Sequence, residues 1–247
     1  MKVSLLASSS KANSTCFYDA NTKILIDAGL SAKQLNLRLE KIGVESSKIN
    51  AIFITHEHSD HIRGISVFSR KYKVPVYVPR AVAPFIDEVY ELNLFDVSET
   101  IKINEFKIKS FSIVHDAVDP VGYYIESKEK SAFLATDVGV ITPLIKEYSK
   151  KANFIVIESN YDQDLLNSCD YSWDLKQRIS SSYGHLSNED CYQFIKTLKN
   201  KNLEYLFLAH LSENSNTEDL VKEKFHNLAA NLGIEYEVGS PVRVIGN

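Results

Sequence analysis

His56-Glu57-His58-Ser59-Asp60-His61 puts four metal-capable side chains within six residues. The segment directly follows residues 51–55 (AIFIT), a continuous apolar run of the kind that forms a buried strand. On an extended chain His56 and His58 alternate and can point the same way. Asp60 and His61 fall where the chain turns into the next helix, so they face a second point nearby. Imidazole nitrogens and carboxylate oxygens suit Zn²⁺, Mn²⁺ or Fe²⁺. The chain has only seven histidines, and three of them are here, which argues against a chance polar loop.

Two ions need more than these four ligands, and the pattern supplies three more at matching places. His115 ends a strand-like run at 106–114, Asp137 follows one at 132–136, and His210 follows one at 205–209. Ends of neighbouring strands converge on one edge of a layered sheet. A histidine at such a place is more often a satisfied structural residue than a ligand. Combined with the 56–61 segment, all three read as ligands.

The remaining chain divides into two strand-rich portions, each followed by helices. The first has strands at 2–7, 15–19 and 23–27, the last ending in the turn Asp27-Ala28-Gly29. A helix at 32–42, with Leu35, Leu39 and Ile42 on one face, is stopped by Gly43. Helices at 61–72 and 81–92 flank a strand at 76–78. The second portion has strands at 106–114, 121–126 and 132–136, a helix opening near Pro143, and a strand at 154–158. A helix at 187–198 carries Ser187 and Asp190 as a capping pattern, with Cys191, Phe194, Ile195 and Leu198 on one face. A strand at 205–209, a helix at 219–232 and short strands around Tyr236 and at 242–245 complete it. This rhythm implies two β layers covered by helices on the outside, as one α/β domain spanning 1–247.

Composition sets limits. The 247 residues are 44% hydrophobic and 24% charged, an ordinary globular balance. A net charge of −4 excludes strong global attraction to nucleic acid but leaves room for a local basic groove. Cys16, Cys169 and Cys191 are widely spaced and form no C-x-x-C pair, so neither a disulfide framework nor a cysteine zinc cluster is expected. No stretch reaches the length of a membrane helix, and the opening apolar run is too short for a secretion signal. The expected setting is the cytoplasm, with no membrane partner.

The order H-x-H-x-D-H, then a His, an Asp and a last His, resembles the metallo-β-lactamase superfamily. The resemblance implies a four-layer αββα sandwich, two mixed sheets flanked by helices. It implies that His56, His58 and His115 hold one divalent ion, that Asp60, His61 and His210 hold another, and that Asp137 bridges them. Asp27 matches the early acidic position that supports the ligand loop. Zn or Mn are the first candidates. His58 where the oxygen-reducing diiron branch has Glu, and the lack of a cysteine ligand, separate the chain from those branches.

Further segments resemble a narrower group. Ser8-Ser9-Ser10-Lys11-Ala12-Asn13-Ser14 (with Ala12 for a usual Gly), Ile157-Glu158-Ser159-Asn160, residues 173–179 (WDLKQRI), residues 184–190 (GHLSNED) and Ala209-His210-Leu211-Ser212 are similar to the YycJ/WalJ group of bacterial hydrolases. That group is associated with 5′→3′ exonuclease activity on DNA, releasing 5′-phosphorylated nucleotides. His185 precedes a capped helix whose free N–H groups, near Ser187 and Asn188, suit a phosphate. In related RNA-processing members a histidine so placed protonates the leaving oxygen and a carboxylate orients it, a role Glu158 matches. Asp60, His185 and Glu158 are thus the catalytic candidates.

Lys176 and Arg178 with Trp173 form a candidate grip for phosphate and base, alongside Ser187 and Asn188. Arg63, Arg70, Lys71 and Lys73 read better as a solvated face, and His226 as structural. The expected substrate is nucleic acid, DNA before RNA, and the interval between Asp137 and His210 is too short for an added domain, which favours a compact enzyme on single strands or DNA ends. Two other readings use the same residues: a hydrolase of a small cyclic phosphodiester, thioester or lactone, and a non-catalytic interaction module. A steep salt dependence of binding separates the first of these from a polymer substrate.

Overall fold

Alternation along each strand decides which layer its side chains enter, since neighbouring residues point to opposite faces. The computed structural model describes residues 1–246. In its first half β1 (Lys2–Ser9), β2 (Ala12–Tyr18), β3 (Lys23–Ile26), β4 (Ala51–Phe53), β5 (Val76–Pro79) and β6 (Leu92–Phe95) are interleaved with α1 (Ala32–Lys41), α2 (Ser59–Ile62) and α3 (Ile65–Tyr72). The second half runs β7 (Thr100–Ile103), β8 (Phe106–Ser112), β9 (Val121–Glu126), β10 (Ser131–Ala135), α4 (Pro143–Ser149), β11 (Phe154–Glu158), α5 (Gln163–Ser168), α6 (Trp173–Ile179), α7 (Asn188–Thr197), β12 (Tyr205–Ala209), α8 (Glu218–Leu232) and β13 (Glu235–Val238). A short β14 (Ile245–Gly246) returns to pair with β1.

Two seven-stranded sheets result, in the orders β14-β1-β2-β3-β4-β5-β6 and β13-β12-β11-β10-β9-β8-β7. Each is antiparallel through its hairpins and parallel through its crossovers, so both are mixed. Ile24 and Ile26 point inward with Phe17 and Phe53, against Phe154, Val156 and Phe207 of the facing sheet. Their neighbours point outward: Leu25 and Ile52 meet Leu35, Leu39 and Phe68 of α1 and α3. Ile155 and Ile157 meet Phe194, Ile195 and Phe225 of α7 and α8. This is the expected αββα sandwich. Among the described residues no helix is long and apolar enough to cross a membrane.

Three expectations change. The helix expected at 81–92 is a 3-10 turn, Arg80–Phe85, followed by extended chain into β6. Pro84 lies inside that turn, and proline supplies no N–H and crowds the preceding turn of an α-helix. The helix expected at 61–72 is broken into α2 and α3 at Gly64, which packs so closely on the chain that a Cβ there would lie 1.8 Å from the Leu30 carbonyl oxygen. The last strand is Ile245–Gly246 instead of 242–245, and Val242 is 76% exposed. Strands β6 and β7 were not foreseen; their outward residues are exposed, which weakens the apolar signal of an edge strand.

The sandwich brings one set of strand ends together. Val121 N–H donates to the Thr55 carbonyl at 3.0 Å, and the Tyr123 hydroxyl donates to the Ile54 carbonyl, so β9 of one sheet is fastened to the exit of β4 in the other. Gly29 backs the 56–61 segment: a Cβ there would come 1.6 Å from the Asp60 carbonyl oxygen. Gly29→Ala is expected to lower stability by about 3 kcal/mol, the upper end for overpacking of a close-packed site. It should also loosen the Asp60 loop. Urea unfolding followed by circular dichroism measures the first effect.

Candidate metal centre

Three residues at this edge leave their strands through the left-handed region: Asp27 after β3 (φ 61°), Asp137 after β10 (φ 58°) and His210 after β12 (φ 55°). For a residue with a Cβ that conformation is uncommon and costs about 1–2 kcal/mol, least for Asp, Asn and His. Local hydrogen bonds hold each one. Asp27 N–H donates to the Phe53 carbonyl (2.8 Å), and His210 N–H to the Ser8 hydroxyl (2.6 Å). After Asp137, Val138 N–H donates to Glu158 (2.7 Å). The chain turns sharply at each strand end, and all three side chains are buried.

The result is one cluster. His56, His58 and His115 have ring nitrogens within 4.8 Å of one another, as do the ligand-type atoms of Asp60, His61 and His210. Asp137 lies between the two groups. Its Oδ2 is 3.2 Å from His61 Nε2, and its Oδ1 is 3.6 Å from His115 Nε2 and 3.5 Å from His210 Nε2. His56, His61 and Asp137 form a third such group across the middle. All seven expected ligand positions are therefore brought together.

Proton bookkeeping shows which ring nitrogen faces inward. Carboxylates and carbonyls only accept, so each Nδ1 beside one carries the proton. His61 Nδ1 donates to Asp27 Oδ2 (2.8 Å), His115 Nδ1 to the Gly184 carbonyl (2.9 Å), and His210 Nδ1 to Glu158 Oε1 (2.7 Å). Thr55 completes the set. Its hydroxyl donates to Asp27 Oδ2 (2.9 Å), so it can only accept from His56 Nδ1, also at 2.9 Å. Every one of these rings thus turns Nε2 toward the cluster. Outer partners that fix a histidine's tautomer in this way are a regular feature of metal sites.

Buried polar atoms normally find a partner. Here His56 Nε2, His210 Nε2 and Asp137 Oδ2 have no hydrogen bond, the last because the approach of His61 lacks hydrogen-bond geometry. These unpaired atoms point into the cluster. The nitrogen and oxygen donor set fits divalent cations of the zinc and manganese type.

Electrostatics agree. Burial pushes His56 well below the ordinary imidazole range, the neighbouring His61 adding to the effect. Burial also opposes a proton on His210, yet Asp137, Asp60 and Glu158 push it up to about 10. His61 is raised well above its usual value against burial, by Asp27, Asp137 and Asp60. The carboxylates demand positive charge at this point. Protons on His61 and His210 would have to leave as a cation enters.

Glu158 is fully buried at the end of β11. Its Oε1 accepts from both His185 Nδ1 (2.9 Å) and His210 Nδ1 (2.7 Å); its Oε2 accepts from the N–H groups of Val138 (2.7 Å) and Leu186 (3.0 Å). Burial would raise its pKa, but His185 and the hydrogen bonds from His185 and His210 bring it to about 2. His185 lies 3.7 Å from Asp137 through Nδ1, so it stands beside the cluster.

A cavity of about 210 Å³ opens over this cluster, with Asp60, His185, Tyr171 and Arg178 in its walls. The other expected substrate-binding residues are placed differently. Trp173 and Lys176 lie on α6 outside the cavity lining; Trp173 is 72% exposed and Lys176 Nζ donates to the Asn167 carbonyl (2.7 Å). Ser187 is the N-cap of α7, its hydroxyl donating to Asp190 (2.6 Å) and accepting from the Asp190 N–H (3.0 Å). Asn188 is buried and bonded to Ser159 (2.7 Å) and Asn216 (2.9 Å). Neither reaches the cavity. Arg70 faces Glu88 on the surface, and His226 is exposed on α8.

Several residues were missed. Thr55 closes an apolar run immediately before His56, a polar residue in a place that asks for a reason. Asn13 Nδ2 reaches Asp60 Oδ2 (3.0 Å) and His61 Nε2 (3.2 Å), and Asn160 Nδ2 donates to the His210 carbonyl (2.7 Å). Asp116 pairs with Arg178 at the cavity wall. No sequence signal marks Tyr171. Thr55→Val keeps the shape but strands the His56 Nδ1 proton. It is expected to weaken metal binding about 10- to 100-fold, as loss of an outer partner does; competition with a chelator of known affinity measures it.

The sandwich and its histidine–aspartate cluster define a metallo-β-lactamase-fold protein. A family model described as the beta-lactamase superfamily domain matches residues 22–210. The chain is 36% identical over 250 residues to exodeoxyribonuclease WalJ of Streptococcus pneumoniae, covering 96% of this chain and 93% of that one. It is 32% identical over 225 residues to exodeoxyribonuclease YycJ of Bacillus anthracis, covering 89% and 85%. In structure it matches the metallo-beta-lactamase fold protein YhfI of Bacillus subtilis with a TM-score of 0.75 at 16% identity, over 100% and 99% of the two chains. The chain belongs to the β-lactamase superfamily and, within it, to the WalJ/YycJ family.

Proposed function

We propose that this chain is a metal-dependent exodeoxyribonuclease that degrades DNA from a 5′ end and releases 5′-phosphorylated nucleotides. The kinship with two exodeoxyribonucleases supports a nuclease. The observation that carries the mechanism is His185 tied to Glu158 beside the seven-residue cluster.

In this reading His56, His58 and His115 hold one divalent ion, Asp60, His61 and His210 a second, and Asp137 reaches both. Zinc or manganese bound there would activate a water molecule at neutral pH and neutralise charge on the phosphate. His185, raised above the usual imidazole range by Glu158 against the effect of burial, carries the proton that the departing 3′-oxygen needs. Glu158 keeps Nδ1 occupied, so Nε2 is the nitrogen that donates. Arg178 in the cavity wall exchanges Asp116 for a phosphate oxygen of the substrate. The reaction runs within one domain, and the three unpaired cysteines suit the reducing cytoplasm.

End-labelled DNA and RNA, digested by metal-stripped protein to which Mn²⁺, Mg²⁺ or Zn²⁺ is returned, tests this. Mononucleotides shed progressively from 5′-labelled DNA, with RNA degraded more slowly, are expected. Label released from the 3′ end first, or no cleavage of either polymer with any ion, would overturn it.

A further inference from the structure

Two stretches of chain separate the metal cavity from a second groove: the turn between β1 and β2, and the loop after β12. Ser10 and Ser212 line the cavity. The residues that follow them, Lys11 and Glu213, line the groove and form an ion pair with each other. Each stretch therefore gives one of two consecutive residues to each side. Gly29 also lines the groove, and a Cβ on it would meet the carbonyl of Asp60, a residue of the cavity wall. The wall between the two spaces is thin, and the Lys11–Glu213 pair ties its two parts together.

The sizes differ. The cavity of about 210 Å³ falls below the roughly 300–1,000 Å³ that encloses a drug-sized ligand, and the groove of about 620 Å³ falls within that range. A scissile phosphate and its sugar can enter the cavity; the rest of a polymer must leave it.

The lining of the groove suits a phosphodiester chain. Its charged residues are Lys11, Arg63 and Glu213, two cations to one carboxylate, in a protein whose net charge is −4. Arg63, expected only on a solvated face, has no hydrogen bond or ion pair from its guanidinium among the described residues. Lys11 has Glu213 as its acceptor, and the two side chains are 76% and 32% exposed. So exposed an ion pair is a weak tie. A phosphate can take the place of the Glu213 carboxylate on Lys11, and a second can meet the unpaired guanidinium. Leu30 and Val242 add an apolar side against which sugars can lie.

We infer that this groove is the track for the DNA strand behind the nucleotide being removed, with Lys11 and Arg63 as its phosphate contacts and Glu213 as the group the strand displaces. The inference rests on the nuclease reading and extends its substrate contacts beyond the cavity. The terminal nucleotide occupies the cavity, and the chain that follows crosses the wall at Lys11.

Anisotropy of a labelled, phosphorothioate-linked single-stranded 12-mer that resists cleavage tests this on metal-loaded full-length protein, between about 50 and 200 mM salt. Lys11→Ala and Arg63→Ala are each expected to bind about 3- to 10-fold more weakly. Each should also make the slope of log affinity against log salt shallower by about 0.7, the loss of one phosphate contact on a single strand. Glu213→Gln is expected to bind about threefold more tightly, because the strand then displaces no carboxylate. Lys107→Ala serves as the charge control: Lys107 lies near the start of β8, and His115 lies just beyond its other end. Its binding should match wild type. Unchanged affinity and slope in both Lys11→Ala and Arg63→Ala, an equal loss in Lys107→Ala, or weaker binding by Glu213→Gln overturns the track. If wild-type protein degrades an unmodified strand while the track fails these tests, the nuclease reading stands without it; if it neither binds nor degrades any strand, both fall.

Discussion

Asp137→Ala is expected to abolish activity while leaving the protein folded. Asp137 is the one side chain whose carboxylate approaches both ligand groups, with Oδ2 beside His61 and Oδ1 beside His115 and His210. Alanine removes the shared acceptor and leaves the imidazoles facing one another. Two divalent cations held by these neighbouring groups would repel each other, and a carboxylate between the groups would offset part of that repulsion. Turnover should fall by about 10⁴-fold or more, about 5.5 kcal/mol in the barrier, and metal content should drop from two ions per chain to one or none. Kinetics and metal analysis on the same preparation check both. The fold should survive, because the surrounding core rests on apolar packing: Phe133, Ile155, Ile157 and Leu208 keep their neighbours. A fully active variant would remove Asp137 from the centre of the account.

His185→Ala should behave differently. Its ring is hydrogen-bonded to Glu158, approaches Asp137 at 3.7 Å and packs against the rings of His115 and His210 (centroids 5.1 and 5.4 Å), but it is not one of the seven expected ligands, and it belongs to the cavity wall. Turnover should fall about 10²- to 10⁴-fold, as loss of a general acid does, with metal content unchanged. Glu158→Gln separates acid from scaffold. The amide can offer one oxygen to the two imidazoles but cannot accept the N–H groups of Val138 and Leu186 with its NH₂. Metal affinity and turnover should then fall together. An activated leaving group, which needs no proton, should rescue His185→Ala and leave Glu158→Gln impaired.

The sequence made much of this site readable because ligands obey rules of spacing. Four donors in residues 56–61 and three more after apolar runs were visible as residue types at strand ends. The order of apolar runs suggested two β layers under helices, and the resemblance to the metallo-β-lactamase superfamily implied the four-layer sandwich. What lay outside that reading shares a cause: it depends on three-dimensional neighbours. Thr55 earns its role through one hydroxyl placed between Asp27 and His56. A capping signature identified the start of α7 but not which side of it faces the cavity, so Ser187 and Asn188 looked available when they are committed to the interior. The apolar residues between 81 and 92 suggested a helix until Pro84 is weighed. The left-handed turns at Asp27, Asp137 and His210 carry no mark in residue type beyond the tolerance of Asp and His for that conformation.

The most direct test is to count the ions and locate them. Protein stripped of metal, loaded with Mn²⁺ or Zn²⁺, desalted and crystallised should give two anomalous peaks, one among His56, His58 and His115 and one among Asp60, His61 and His210, with Asp137 touching both. Protein that takes up no divalent ion, or peaks elsewhere on the surface with this cluster empty, would contradict the account.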